Sequence, residues 1–335
     1  MMRRSQMKTL FKILFTPLLW LLNSCSPLGN PVDIEKSNNH YYDNSKSQIR
    51  YSRMGNWFEL GNTQIKADVQ SFQVLNKWLS RDKDHIFFEA HPVENLKIDA
   101  NEFYIKNEDY MTNLGFDNEH VYAFETAYKN KKTYSIAKVI ENANPKTFMR
   151  TGWSWANDKK NHFYGTQKLD TDFDSFEILN DYFAKDSIRG FVRNAKIFEP
   201  FEADTPTLHI LDESSHGIDK NNVYWITFFT KKGPYLLTIP YTDASKVKFL
   251  NRYFLQIDNR IYFDGVFRKD IDTQSFEIIN LSYAKDAAHV YYKGQPIEGA
   301  DAASFKQMEG SYKYQDKNGI YHEGELDADK PEATN

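Results

Sequence analysis

From residue 50 to 325 the chain alternates short apolar runs with clusters of Asp, Asn, Lys and Gly. The runs recur as one motif. A Phe-type position stands four residues after an Asp, as in Phe72-Gln73-Val74-Leu75-Asn76 after Asp68, Phe176-Glu177-Ile178-Leu179-Asn180 after Asp172, and Phe276-Glu277-Ile278-Ile279-Asn280 after Asp272. Phe103, Leu208 and Val247 hold the same place after Asp99, Asp204 and Asp243, and weaker copies centre on Phe148 and Phe305. A second motif follows at a nearly constant distance. An Asp-led polar turn runs into an apolar pair: Asp82 to Ile86-Phe87, Asp117 to Val121-Tyr122, Asp219 to Val223-Tyr224, Asp286 to Val290-Tyr291 and Asp316 to Ile320-Tyr321. Self-similarity at this period is the signature of a repeat array, here of about eight units.

Each position has a physical reading. The leading Asp forms a turn by accepting backbone N–H groups two or three residues on. Asp99 and Glu102 have capping-box spacing, which allows a single helical turn there. The residue four after the Phe is Asn, Asp or Gly in seven of eight copies, Gly152 among them, which predicts a bend in left-handed backbone. Adjacent aromatics recur in the strand after the Asp turn: Phe87-Phe88, Tyr224-Trp225, Tyr262-Phe263 and Tyr291-Tyr292. Neighbours on a strand point to opposite faces. Either both faces are packed, or one displays aromatics to a ligand. Two copies lengthen into hairpins, at 121–139 around Lys129-Asn130-Lys131-Lys132 and at 223–241 around Lys231-Lys232-Gly233-Pro234. The expected unit is strand, turn, strand, turn, short strand. One unit cannot hide its own aromatics, so stacking must supply stability. The expected fold is all-β, a tandem β-hairpin repeat array that is solenoid-like. A β-propeller is the alternative, ranked second because ~30 residues is short for a four-stranded blade of ~40–45.

The stretch Ala284-Lys285-Asp286, His289-Val290-Tyr291-Tyr292 and Gly294 resembles the DKNYY repeat family, and Asp219-Lys220-Asn221-Asn222-Val223-Tyr224 is close to its namesake. The resemblance spans roughly 50–325. It implies no catalytic residues, because no activity is attached to the family.

The first 24 residues read differently. Arg3, Arg4, Lys8 and Lys12 precede an apolar run from Ile13 to Leu22, too short for the ~20 residues that span a bilayer. A signal peptide over 1–24 is expected. Leu22-Asn23-Ser24-Cys25 resembles the lipobox of bacterial lipoproteins, which implies lipidation of Cys25 and, with Ser26 following, an outer-membrane place in the cell envelope. Residues 25–49, rich in Asn and Ser, are expected as a flexible tether and 326–335 as a disordered tail. Cys25 is the single cysteine, which excludes an internal disulfide and a Cys-based zinc site. The net charge of −4 becomes more negative once the basic leader is removed, so nucleic acid is not expected as a partner.

Candidate chemistry is sparse. Nucleophile-elbow, zincin, phosphate-loop and dinucleotide signatures are missing from the sequence. His85, His120, His162 and His289 recur one per unit, which suits a turn position better than a metal site. The Asp-rich turns lack the closing acid of a calcium loop. No cofactor is expected. Trp153 and Trp155 read as an aromatic pair on one strand face, and with Trp225 they could stack on a sugar. Lys131, Lys132, Lys231 and Lys232 cap the long hairpins, where protruding loops often carry contacts. The expectation is a non-catalytic envelope lipoprotein, held to the membrane by its lipid, whose array binds a macromolecule, an envelope protein or a glycan, or acts as a scaffold. Glycan or cell-wall binding is the alternative, and an envelope-polymer hydrolase ranks below both.

Overall fold

The computed structural model describes residues 26–106, 113–194, 197–211, 215–227 and 235–327. The signal segment, Cys25, Lys231, Lys232 and the bend positions Asn107 and Asp212 lie outside the described residues. These residues form nine small antiparallel sheets whose strands pair in chain order. We letter them A (40–65), B (73–92), C (114–139), D (149–169), E (177–201), F (209–240), G (247–267), H (277–296) and I (306–326). Sheets A and C have three strands and the others four, and none closes into a barrel. The chain forms two compact units, residues 1–170 with sheets A to D and 171–335 with sheets E to I. The all-β repeat array expected from the sequence is what the chain forms.

Sheet H shows the unit. Glu277–Ile278 pairs with Tyr283–Lys285, then Val290–Tyr292, then Gln295–Pro296, with Tyr283 opposite Tyr292 and Lys285 opposite Val290. The three-strand unit is thus corrected to four. Tyr283-Ala284-Lys285, read as connection, is itself a strand, and strands of two or three residues fit a four-stranded meander into the repeat length. Repeat length therefore does not weigh against a blade-like sheet.

Within each compact unit, neighbouring sheets pack face on face. The first aromatic of each pair turns toward the preceding sheet and its neighbours toward the following one. In the first unit Phe87 packs with Ile49, Tyr51 and Phe72, whereas Phe88 packs with Phe103, Tyr122 and Phe124. In the second, Tyr224 joins Phe183 and Leu208 while Trp225 joins Leu255, Ile257 and Tyr262; Tyr291 joins Phe254 and Ile261 while Tyr292 lies against Phe305 and Tyr314. Each such side chain contributes about 1.5–3 kcal/mol when buried, and none could be buried by its own sheet alone.

Two further expectations are corrected. The bend residues Asn76, Asn180, Asn251 and Asn280 are not left-handed. Each turns the chain with its side chain instead: Asn280 Oδ1 accepts the N–H of Ser282 at 2.8 Å and of Tyr283 at 2.7 Å, and Asn76, Asn180 and Asn251 repeat this. Residues 26–49 are not a free tether. His40–Tyr42 is a strand paired with Ile49–Tyr51, Gly29 N–H donates to Tyr42 C=O, and Val32 N–H to His40 C=O. Buried Asn39 fixes the segment by donating to Lys77 C=O at 2.9 Å and accepting from Met54 N–H at 2.8 Å. At the other end Leu326 still belongs to the last strand, and 328–335 lie outside the described residues.

Candidate functional site

The residues that define the repeat converge on one arrangement. The Asp of the second motif uses one carboxylate oxygen for its own turn: Asp286 Oδ1 accepts from Ala288 N–H at 2.8 Å and His289 N–H at 2.7 Å. Its other oxygen reaches back to the leading Asp of the unit, accepting Asp272 N–H at 3.0 Å, and also takes the Tyr291 hydroxyl at 2.6 Å. The backward link recurs from Asp68 to Asp82, Asn144 to Asp158, Asp172 to Asp186, Asp204 to Asp219 and Asp301 to Asp316. The tyrosine link recurs at Tyr122–Asp117, Tyr224–Asp219 and Tyr321–Asp316. Where Phe163 replaces the tyrosine, the Asn161 amide donates to Asp158 instead.

A second seam lies outside the first. Ser304 Oγ accepts Lys317 N–H, and Lys317 Nζ sits 2.7 Å from Asp301; Lys220 pairs with Asp204 at 2.6 Å. The Lys317 and Ser304 contacts pull the Asp301 carboxyl down to about 2. At Asp286 burial pushes the carboxyl up, yet the Tyr291 hydroxyl and three backbone N–H groups together hold it below its ordinary value. Burial and the Asp316 carboxylate raise the Tyr321 hydroxyl to about 12. These carboxylates are turned into N–H and O–H donors, and among the described residues no three His, Cys, Asp or Glu side chains gather as metal ligands. His85, His120 and His289 each face the Asp of their own turn at 3.3, 3.5 and 3.8 Å.

The sequence-selected binding residues separate. Trp153 is 96% exposed, in a bend before the strand Trp155–Asn157. Trp155 lies in that strand, is buried, and meets the Tyr164 ring edge-on at 5.0 Å, so the two tryptophans do not share a strand face. Trp225 is 1% exposed and packs edge-on against His216 at 4.5 Å, which removes it as a surface aromatic. Lys131 and Lys132 are exposed at the tip of a hairpin pairing Val121–Lys129 with Lys132–Val139. Its two-residue turn, Asn130-Lys131, has φ of 51° and 61°, the mirror-image turn that matches strand twist.

Trp153 edges an open groove of about 500 Å³ in the first unit. Trp78, Glu89, Glu125, Arg53 and Arg150 also line it. Sheets B and C, Arg53 from the sheet A region, and the first strand and first connection of sheet D each supply part of the wall. Glu89 receives Arg53 at 2.8 Å and the Thr126 hydroxyl at 3.1 Å. Glu125 pairs with Lys138 at 2.7 Å. The Arg150 guanidinium donates to the carbonyls of Gly152 and Trp153, tying the bend that presents the indole. Sequence reasoning selected Trp153 and missed the rest. The usable signal was the bend itself, since Trp78 lies two residues after Asn76 and Trp153 one residue after Gly152.

Compared with known protein families, the chain matches the DKNYY family over residues 41–195, 99–227 and 191–325, which together run from 41 to 325. No curated protein and no solved structure matches it.

Proposed function

The chain belongs to the DKNYY family, and on that premise we propose that it is a non-catalytic, lipid-anchored protein of the bacterial cell envelope whose array serves as a binding scaffold. One observation carries the reading. The residues that recur from unit to unit are engaged in holding the unit together, so the family signature specifies architecture and leaves recognition to the edges that vary. The Asp of each second motif accepts from its own turn and in most units from the preceding Asp or Asn. The leader with Cys25 supports export and outer-membrane anchoring, and the lysine-tipped hairpin at 121–139 is an edge that protrudes from a rigid frame.

Fractionation of cells carrying the wild-type chain and Cys25→Ser tests the anchor. The wild type is expected with membranes and the variant in the soluble envelope fraction; a wild type found soluble would overturn the anchor. In-cell crosslinking followed by pull-down tests the scaffold. Partners are expected with the intact chain and should be reduced when the 129–132 tip is shortened. Turnover of an envelope polymer by the purified chain would replace a binding role with a catalytic one.

A further inference from the structure

Resting on that binding-scaffold reading, we propose that the groove edged by Trp153 is a subsite for an uncharged saccharide, with the C–H face of a pyranose ring seated on the indole. An indole that is 96% exposed adds apolar surface at the edge of a groove that Trp78, Phe88 and Phe124 also line. The backbone beneath it is held. Arg150 ties the carbonyls of Gly152 and Trp153, and the next strand is anchored by buried Trp155. The ring therefore stands at the rim of the groove on a braced bend.

The remaining walls choose among ligands. Two arginines, Arg53 and Arg150, and two glutamates, Glu89 and Glu125, line the groove. The lining's own ionic side chains are balanced, Arg53 and Arg150 against Glu89 and Glu125, and the Arg150 guanidinium is occupied by the carbonyls of Gly152 and Trp153, so neither a polyanion nor a cation is favoured by charge. Binding a phosphate or a uronate would draw Arg53 from Glu89 or Arg150 from the carbonyls that brace the bend. A neutral sugar requires nothing of the kind. Its hydroxyls radiate in the ring plane, where the Glu89, Arg150 and Asn113 side chains of the lining offer both donors and acceptors. Its two faces carry C–H groups that an indole can cover. The open, shallow form also suits a chain that continues past the site in both directions. The volume lies within the ordinary range of ligand sites.

The test titrates the full chain with neutral tetrasaccharides of glucose, mannose and N-acetylglucosamine, and with polygalacturonate as the anionic counterpart, reading heat and tryptophan fluorescence. Saturable binding of at least one neutral member is expected. Trp153→Ala should weaken it about tenfold, and Trp153→Tyr should retain most of it. Tyr312→Ala, which removes an equally exposed ring outside the groove, should leave it unchanged. No neutral binding at millimolar sugar, unaltered binding in Trp153→Ala, or salt-sensitive binding of polygalacturonate alone would each overturn the proposal. A peptide or protein captured by crosslinking, with every sugar silent, would sink the saccharide and leave the scaffold role standing.

Discussion

Replacing Asp286 with Ala probes the joint on which the repeat depends. Four donors meet this buried carboxylate: the N–H of Asp272 at 3.0 Å, Ala288 at 2.8 Å and His289 at 2.7 Å, and the Tyr291 hydroxyl at 2.6 Å. The two turn amides, beside the exposed Ala287 and Ala288, can exchange the carboxylate for water. The Tyr291 ring is fully buried and its hydroxyl cannot do so, although it can turn to the Asp270 carbonyl at 3.0 Å. At roughly 1–3 kcal/mol for each stranded donor, the loss is about 2–4 kcal/mol. Tyr291→Phe removes one charge-assisted bond and leaves Asp286 with three donors, at a cost of about 1–2 kcal/mol. The two changes share a bond, so the double variant should cost less than their sum by about 1 kcal/mol. Urea unfolding gives the totals, and amide exchange within sheet H shows whether the loss is local, as nearest-neighbour stacking requires. A cost below about 0.5 kcal/mol for Asp286→Ala, or strict additivity of the pair, would refute the claim that the carboxylate is a structural joint.

Acid should loosen the first unit through His40. Burial holds its imidazole at about 3 against 6.5 in the unfolded chain. Below pH 6.5 the unfolded chain takes up a proton that the folded chain refuses, so stability present above that pH falls on acidification, by about 2 kcal/mol at pH 5. The ring packs on Tyr51 and Phe72 and bonds the Ser37 hydroxyl, so His40→Phe fits the site, and its urea midpoint should change less between pH 7 and 5 than that of the wild type. His162, shifted the same way by partial burial, stays in both chains, and an equal pH slope in the two would exclude His40. Lys131→Gly relieves φ of 61° at the hairpin tip and should raise stability by about 0.5–1 kcal/mol in denaturant titration. Gly115→Ala should lower it by about 1–3 kcal/mol, because the new Cβ would lie 2.1 Å from Phe103 Cζ and 3.0 Å from Phe124 Cε2 in a buried strand.

The repeat was legible because its turn residues recur at fixed offsets, and turns punctuate more clearly than strands do. Eight Phe-type positions marked sheets B to I. Sheet A was missed because it lacks the Phe motif and because its interior includes polar groups. Asn39 and His40 stand where an apolar residue would have announced a core, and composition registers them as tether. The strand Tyr283–Lys285 escaped notice for a different reason, since three residues ending in Lys are too few to show a period of two. At Asn280 the sequence was read correctly as a bend and wrongly as left-handed, because Asn turns a chain either by its backbone or by its side-chain oxygen. Trp225 shows a further limit. Alternation tells that two aromatics point to opposite faces, but a neighbouring sheet decides which faces meet water.

The links that close each unit are short along the chain. The joint from Asp272 to Asp286 spans 14 residues and that from Asp301 to Asp316 spans 15, and each sheet pairs only consecutive strands. Contacts of such low order close quickly and need no distant segment to arrive first. A chain that emerges N-terminal end first can thus complete one sheet, lay its first aromatic on the sheet already finished, and leave its second exposed only until the next sheet emerges. The pairing of adjacent aromatics is then a timetable as much as a packing scheme. It limits how much sticky surface is bare at any moment as the chain emerges, and it predicts that truncation between sheets leaves a single open face rather than an unfolded chain.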